Sequence, residues 1–570
     1  MGARWFLYWA LLQQVSAQLP FDLGTLQQNG PPQPPDIPSP TFAPAWGPPD
    51  FPNWPPRPAP VPLRACDPNE DVQVRYASST KRLYIENENS TGGCMNLSTV
   101  FELRKDDWPT APLGGARGPL WPVDPITGLR THYVTGTWLL TEDLYVEDGV
   151  TLNVWGGPGG DCDELRVLSN DTWFLNMRAH GANFYFLNTK VTGWDEEANG
   201  PRVLENSSHP RSYISAVSEV IVDPLETCYG RALNNMGEAR MDIIGSEMGH
   251  LGYYGSESYG LTWKVRGFCV NKTNPEIFDR VNVYGDIINS DIHNMYFGMY
   301  SYGHQGGNWS NNKMHDNHQY GFDPHDDSDW LTIHNNEVWN NGNHGIIASK
   351  RCNHVSIQNN HVWGGGQAGL FLHRSTDFAI VRNNYVHDNL DAGLACLECF
   401  YANIYDNVFE HNKYGVRYSV GSMYNWFHHN TVRNSSRYNL YSYLGSDLPD
   451  VEGSDGRNFE IWFTENLVTG NGGMGGESIK LKEADACIFY GNEFQEAETF
   501  RFDNSTMTRW ESNVGAENVE LALQNNACFA PSSDPGFDPI CEDTSTADAA
   551  GQPDPYVADE EATAAPAGIP

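Results

Sequence analysis

The densest chemistry in the chain lies between Met314 and Asp327, a stretch reading Met-His-Asp-Asn-His-Gln-Tyr-Gly-Phe-Asp-Pro-His-Asp-Asp. Three histidines, one tyrosine and four aspartates fall within these fourteen residues. Imidazole, phenol and carboxyl groups are the side chains of proton abstraction and return, since each holds or takes a proton at a tunable pKa. Asp323 and His325 stand two residues apart, so an extended strand points both to one side. Pro324 between them has no backbone N–H, an uncommon choice for an ordinary ladder position. The plain alternative is a solvated turn with incidental histidines. A metal site would want a second cluster of His or Asp at ligand spacing, and the neighbouring sequence offers none.

A repeat supplies the elements that must position these groups. A segment of the form aliphatic-x-Asn-Asn-x-Val recurs at Ile333–Val338, Ile357–Val362 and Val381–Val386, and in shortened form at Ile404–Val408. Its last Asn falls at Asn312, Asn336, Asn360, Asn384, Asn407 and Asn430, in steps of 24, 24, 24, 23 and 23. A Gly followed by an apolar residue keeps the same phase at Gly298, Gly321, Gly345, Gly369, Gly393 and Gly415. Each unit holds short β-branched runs between Asn, Gly and Asp turns, with no helical periodicity. Units of this length and content predict an all-β solenoid, a parallel β-helix of 22–24-residue coils. Leucine-rich repeats share the length but need a leucine lattice that is missing here.

In such a solenoid, equivalent residues of successive coils stack about 4.8 Å apart. Counting from the repeat Gly, offset +1 is apolar throughout: Met299, Phe322, Ile346, Leu370, Leu394 and Val416. That row should face inward, so offsets +2 and +4 should face out. Offset +2 reads Tyr300, Asp323, Ile347, Phe371, Ala395, Arg417, and offset +4 reads Tyr302, His325, Ser349, His373, Leu397, Ser419. The expected result is a strip of polar and ionisable groups, with Lys350, Arg351 and Arg374 at its edge. Its repeat of ~5 Å suits the units of an extended polysaccharide.

Tyr-Gly-Phe-Asp-Pro-His-Asp at 320–326, followed one coil later by His-Gly-Ile-Ile-Ala-Ser-Lys-Arg at 344–351, resembles the catalytic signature of the mannuronan C5-epimerases. Those are right-handed parallel β-helix enzymes that convert mannuronate to guluronate within alginate. The resemblance is strongest over 240–445 and extends upstream through Gly136–Leu140 and Val150–Leu152. It implies that Tyr320, Asp323 and His325 are the catalytic Tyr, Asp and His. It also implies that His318 matches the histidine proposed as base in the periplasmic type. Lys350 and Arg351 match the basic end of the next coil's segment. Where the calcium-dependent secreted enzymes carry a further Asp, this chain has Ser349, so the match leans to the periplasmic type. No cofactor is implied outright, and calcium stays open.

Epimerisation at C5 removes a proton alpha to a carboxylate and returns one from the other face. Arg351, Lys350 or a protonated Asp323 could stabilise the charge that develops on the carboxylate, with Arg374 beside them. His325 or His318 would be the base and Tyr320 the donor, the latter if its surroundings lower its pKa from about 10. Tyr300, Tyr302, His344 and His373 would line the groove. Two other readings remain: a polyuronate lyase, which would expel the 4-linked sugar from the same carbanion, and a non-catalytic carbohydrate-binding β-helix. A hydrolase lacks a second carboxylate at offset +2 or +4 in the flanking coils.

Length, tails and charge bound the rest. The 570 residues open on Arg4, the apolar run Trp5–Leu12 and the small residues Val15-Ser16-Ala17, which reads as a secretory leader over 1–17. Residues 18–64 form a spacer, with fifteen prolines between 31 and 62. An N-terminal β-rich region (65–235) should hold the opening coils, followed by the catalytic solenoid (236–500), a cap (501–542) and a disordered acidic tail (543–570). Eight Asn-X-Ser/Thr sequons, at Asn89, Asn96, Asn170, Asn206, Asn271, Asn308, Asn434 and Asn504, suit an exported glycoprotein. Eleven scattered cysteines suit disulfides. No run is long and apolar enough for a membrane helix, so the expected product is a monomer secreted outside the cell or into its wall. A net charge of −37 argues against nucleic acid and, at first sight, against a polyanion. Yet residues 315–440 hold 12 acidic and 8 basic residues, a net −4, so a polyuronate such as alginate or polymannuronate remains a plausible partner.

Overall fold

The computed structural model describes residues 71–541, apart from 88–91, 109–117, 220–227, 230–236, 270–280, 471–476, 531–539 and a few shorter gaps. The expected leader, proline-rich spacer and acidic tail lie outside the described residues. One strand per sheet makes each coil, as in Phe322–His325, Thr332–His334 and Glu337–Trp339. Each strand pairs in parallel with its equivalent one coil on, so Met299, Phe322, Ile346, Leu370 and Leu394 lie in register. The three sheets hold 16, 16 and 15 strands and run unbroken past position 235. The chain is a right-handed parallel β-helix, as the period predicts.

The Asn-Asn pair divides its work. The first residue takes the left-handed backbone conformation, with φ of 53–56° at Asn311, Asn335, Asn359 and Asn383, a region that Asn tolerates better than most. The second turns inward and donates to the next coil. Asn336 reaches Asn360 at 2.9 Å, Asn360 reaches Asn384 at 3.0 Å, and Asn384 reaches Asn407 at 2.9 Å. Gly321 is required for a different reason, since a Cβ there would sit 2.4 Å from the carbonyl oxygen of Gly345. Replacing Asn384 by alanine strands the carbonyl of Ile357 and the amides of Asn360 in the interior. The expected cost is about 3 kcal/mol, read as a lower chemical-denaturation midpoint.

The N-terminal end of the stack is covered, which protects its open strand edges. At the N-terminal end the helix Leu97–Arg104 lays Leu97, Val100 and Phe101 on the core, capped by Asn96, which accepts the Thr99 N–H at 3.0 Å. Its apolar stripe at Leu97, Val100 and Phe101 spans barely two turns, too short to stand out in the sequence as a helical period. At the other end Cys528–Ala530 pairs antiparallel with Ile540–Cys541. Cys94 and Cys528, at opposite ends of the stack, each belong to a disulfide. Cys162, Cys352, Cys396, Cys399 and Cys487 are free and buried, so only part of the scattered set forms disulfides. There they serve as small apolar core residues.

Candidate active site

Alternation along the strands sets the site. Met299, Phe322, Ile346, Leu370, Leu394 and Val416 are fully buried, so the +1 row faces inward as expected. The alternation then slips at the repeat Gly, and the residue before it also faces out. This adds a third outer row that the sequence reading missed: Phe297, Tyr320, His344, Ala368, Ala392 and Tyr414. Ala368, Ala392 and Tyr414 pack with Ile347, Phe371 and Ala395 into an apolar cluster separate from the main core. The strip is therefore ionisable around Asp323 and apolar for the three coils beyond it.

Pro324 interrupts the ladder where it matters. Asp323 and Pro324 pair with Tyr300 and Ser301 of the coil before, but towards the coil after only Phe322 and His325 pair, with Ile346 and Ser349. Asp323 is 2 % exposed, and its Oδ1 has no hydrogen-bond partner among the described residues. Burial, reinforced by Asp326 and only partly offset by His325 and Lys350, pushes its carboxyl up to about 7. At neutral pH this group is divided between its acid and its anion.

His325 is oriented by a neighbour outside the predicted site. Its Nδ1 bonds to Asp326 Oδ2, which leaves Nε2 as the free acceptor. Burial opposes the charge on Asp326, but the His325 hydrogen bond, with the charges of His325, Arg351 and Lys350, outweighs it and holds the carboxyl low. Arg351 Nη2 reaches Asp326 at 2.8 Å and Asp327 at 2.9 Å. The cause is a stacked corner: Asp326-Asp327, Lys350-Arg351 and Arg374-Ser375 occupy equivalent positions in three successive coils, all with left-handed backbones. This corrects two residues expected to be open cations. Arg351 is held by two carboxylates, and Arg374 is bound by Asp447 at 2.9 Å and Asp450 at 2.8 Å. Lys350 makes no ion pair among the described residues.

Rings join the remaining residues. Tyr320 stacks on His344 at 5.6 Å with an interplanar angle of 4° and meets Phe297 edge-on at 4.8 Å. Tyr300 lies 5.6 Å from His325. His344 Nδ1 accepts the Ala368 N–H at 3.1 Å, and burial pulls its pKa down to about 3, so its ring is neutral with a proton on Nε2. His373 is half-buried, with Nδ1 at 2.8 Å from Ser349 Oγ, and desolvation, with the charge of Arg374 beside it, pulls its pKa well down, so it is neutral too. Tyr302 lies beside Lys264, 5.6 Å from its ring. His318 sits further out, on the turn before this strand, stacked on Tyr296 at 5.4 Å. Burial, with a smaller push from Arg211, lowers its pKa. Tyr320 departs from expectation: burial and the charge of Asp323 raise its pKa, so the phenol stays protonated at rest.

Residues 248–445 match the family described as Periplasmic copper-binding protein (NosD). Among the described residues no group of three His, Cys, Asp or Glu side chains is placed to hold a metal ion. The Mannuronan C5-epimerase of Pseudomonas fluorescens is 29 % identical over 170 residues, 30 % of this chain and 27 % of that protein. The Mannuronan C5-epimerase AlgG of Azotobacter vinelandii is 26 % identical over 201 residues, 35 % of this chain and 32 % of that one. The chain thus matches about a third or less of the length of these relatives. A crystal structure of the periplasmic alginate epimerase AlgG aligns with a TM-score of 0.58 at 18 % identity, covering 76 % of this chain and 95 % of that one. That likeness is one of fold.

Proposed function

Because the repeat segment is related in sequence to the mannuronan C5-epimerases, we propose that the chain epimerises β-D-mannuronate to α-L-guluronate within alginate. The observation that carries the proposal is the strand Phe322–His325 with Tyr320 just before it, where donor, carboxyl and base follow one another at outward positions. The sugar carboxylate would lie over Asp323, whose free Oδ1 and protonated form supply a hydrogen bond, with Lys350 close by. Both reduce the cost of charge that moves onto the carboxylate when C5 loses its proton. His325 Nε2 takes that proton, held in aim by Asp326. Tyr320 returns one from the far side and recovers it from solvent, while His325 releases the proton it took. The raised pKa of Tyr320 keeps the donor loaded before each turnover.

The leader, the sequons and the disulfides at Cys94 and Cys528 support export from the cytoplasm. No helix among the described residues is long and apolar enough to cross a membrane. The reaction is tested by incubating the protein with polymannuronate in deuterated water, with and without calcium, and recording the proton spectrum. Guluronate signals with deuterium at C5 are expected. Unsaturated end groups in their place would make the chain a lyase, and an unchanged polymer would leave only a binding module.

A further inference from the structure

Two hairpins leave the parallel winding near the N-terminal end of the 15-stranded sheet and close over one another. Leu120–Pro122 pairs antiparallel with Thr137–Leu140, and Gly200–Pro201 folds back antiparallel on Lys190–Asp195. Arg130 of the first hairpin reaches Glu196 of the second at 3.2 Å. Gly128 lets the two loops touch, since its φ is 69° and a Cβ there would come 2.7 Å from Asn199 Oδ1. The hairpins enclose a cavity of about 250 Å³, lined by Val123, Leu139 and Trp194 and by Arg166, Glu196 and Asn199. Val123, Leu139 and Trp194 form a buried apolar cluster apart from the main core. Arg166 is the buried polar group of the lining, only 5 % exposed. Its Nε donates to Glu164 at 3.1 Å, its Nη2 donates to the Pro125 carbonyl at 2.9 Å, and its guanidinium lies 3.9 Å from the Trp194 ring. Nη1 has no partner among the described residues. A guanidinium N–H held this deep without an acceptor costs free energy, which an oxygen of a ligand in the cavity would recover.

The charges are matched, Arg166 by Glu164 and Arg130 by Glu196, so the cavity does not select an ion. An indole and two aliphatic side chains suit C–H groups, while a guanidinium N–H, an amide and a carboxylate suit hydroxyls. A saturated ring that carries both is a sugar. We propose that this cavity is a binding site for one uncharged pyranose, packed against Trp194 and Leu139 with its hydroxyls on Arg166 Nη1 and Asn199. The volume falls short of the roughly 300–1,000 Å³ of drug-sized sites, which suits a single ring and not a chain. The strand of Arg166 lies four strands before Lys313–His315, which leads into Phe322–His325. At ~4.8 Å per strand that is ~19 Å along the axis, and it is on another sheet, so the cavity is separate from the strip around Asp323.

The test is saturation-transfer NMR on the full chain, with the methyl glycosides of glucose, galactose, mannose and fucose at millimolar concentration. At least one should bind wild type, and Trp194→Leu should weaken it about fivefold by removing the aromatic wall. If that variant fails to fold, Asn199→Ala, at an exposed position, should weaken it about threefold by removing a hydrogen bond. A wild type that binds none of the four overturns the site, as does binding that both variants keep in full. A stronger Trp194-dependent signal from methyl glucuronoside than from the neutral sugars would overturn the assignment to an uncharged ring.

Discussion

Replacing His325 by alanine is expected to lower turnover of polymannuronate by about 10²–10⁴, the range a single positioned acid or base supplies. The size of the loss follows from the orientation of the ring. Asp326 takes Nδ1–H and Arg351 braces Asp326, so Nε2 is presented at one angle with its lone pair free. His318 is half of the same question. It stacks on Tyr296 and its ring has no hydrogen bond among the described residues, so His318→Ala should cost less than about tenfold. Steady-state rates of the two variants separate the assignments, and a larger loss at His318 would reverse them. Asp326 acts through His325 and is a positioning residue. Asp326→Asn should lower kcat while leaving KM nearly unchanged, because it loosens the aim of His325 without touching the substrate. A loss confined to KM would reduce Asp326 to a structural role.

The second large effect belongs to Asp323, and it has opposite signs for activity and stability. Losing a preorganised donor to a developing charge costs about 10²–10³, so Asp323→Ala should lose that much. Its carboxyl sits at about 7 in the fold against about 3.9 in an unfolded chain. Below the lower value both states hold the proton and the residue costs nothing. As pH rises toward 7 the unfolded state ionises first, and above 7 the fold carries the full cost, at most about 4 kcal/mol. Asp323→Asn removes an ionisable group and keeps a donor. It should leave stability near pH 4 unchanged, raise it at pH 8, and flatten the decline in activity expected of wild type as pH passes 7. Denaturation at the two pH values and a pH–rate profile check this. A variant no more stable at pH 8 than wild type would rule out a carboxyl raised by burial.

The solenoid was legible because its constraints repeat. Asn336, Asn360 and Asn384 must each satisfy the coil before, and Gly321 must admit the carbonyl of Gly345, so both write a period into the chain. Alternation also placed Asp323 and His325 on one face. It failed at the residue before the repeat Gly, since the slip at each Gly hides an outer row that includes Phe297 and Tyr414. Asp326 stood inside the motif, but only the left-handed corner turns it back onto His325 and Arg351. Arg374 was misread because Asp447 and Asp450 lie 73 and 76 residues away, beyond any local pattern. The shift at Tyr320 depends on burial by neighbouring coils, which residue type alone does not convey.

Tyr320, Asp323 and His325 all sit on a single turn of the winding, and this separates the length of the face from its chemistry. Duplicating one 24-residue repeat between Gly369 and Gly393 would leave that turn untouched and lengthen the face beyond it by one notch, ~4.8 Å. The stack is, in that sense, a ruler whose graduations are coils, and its length can change by copy number with no substitution on that turn.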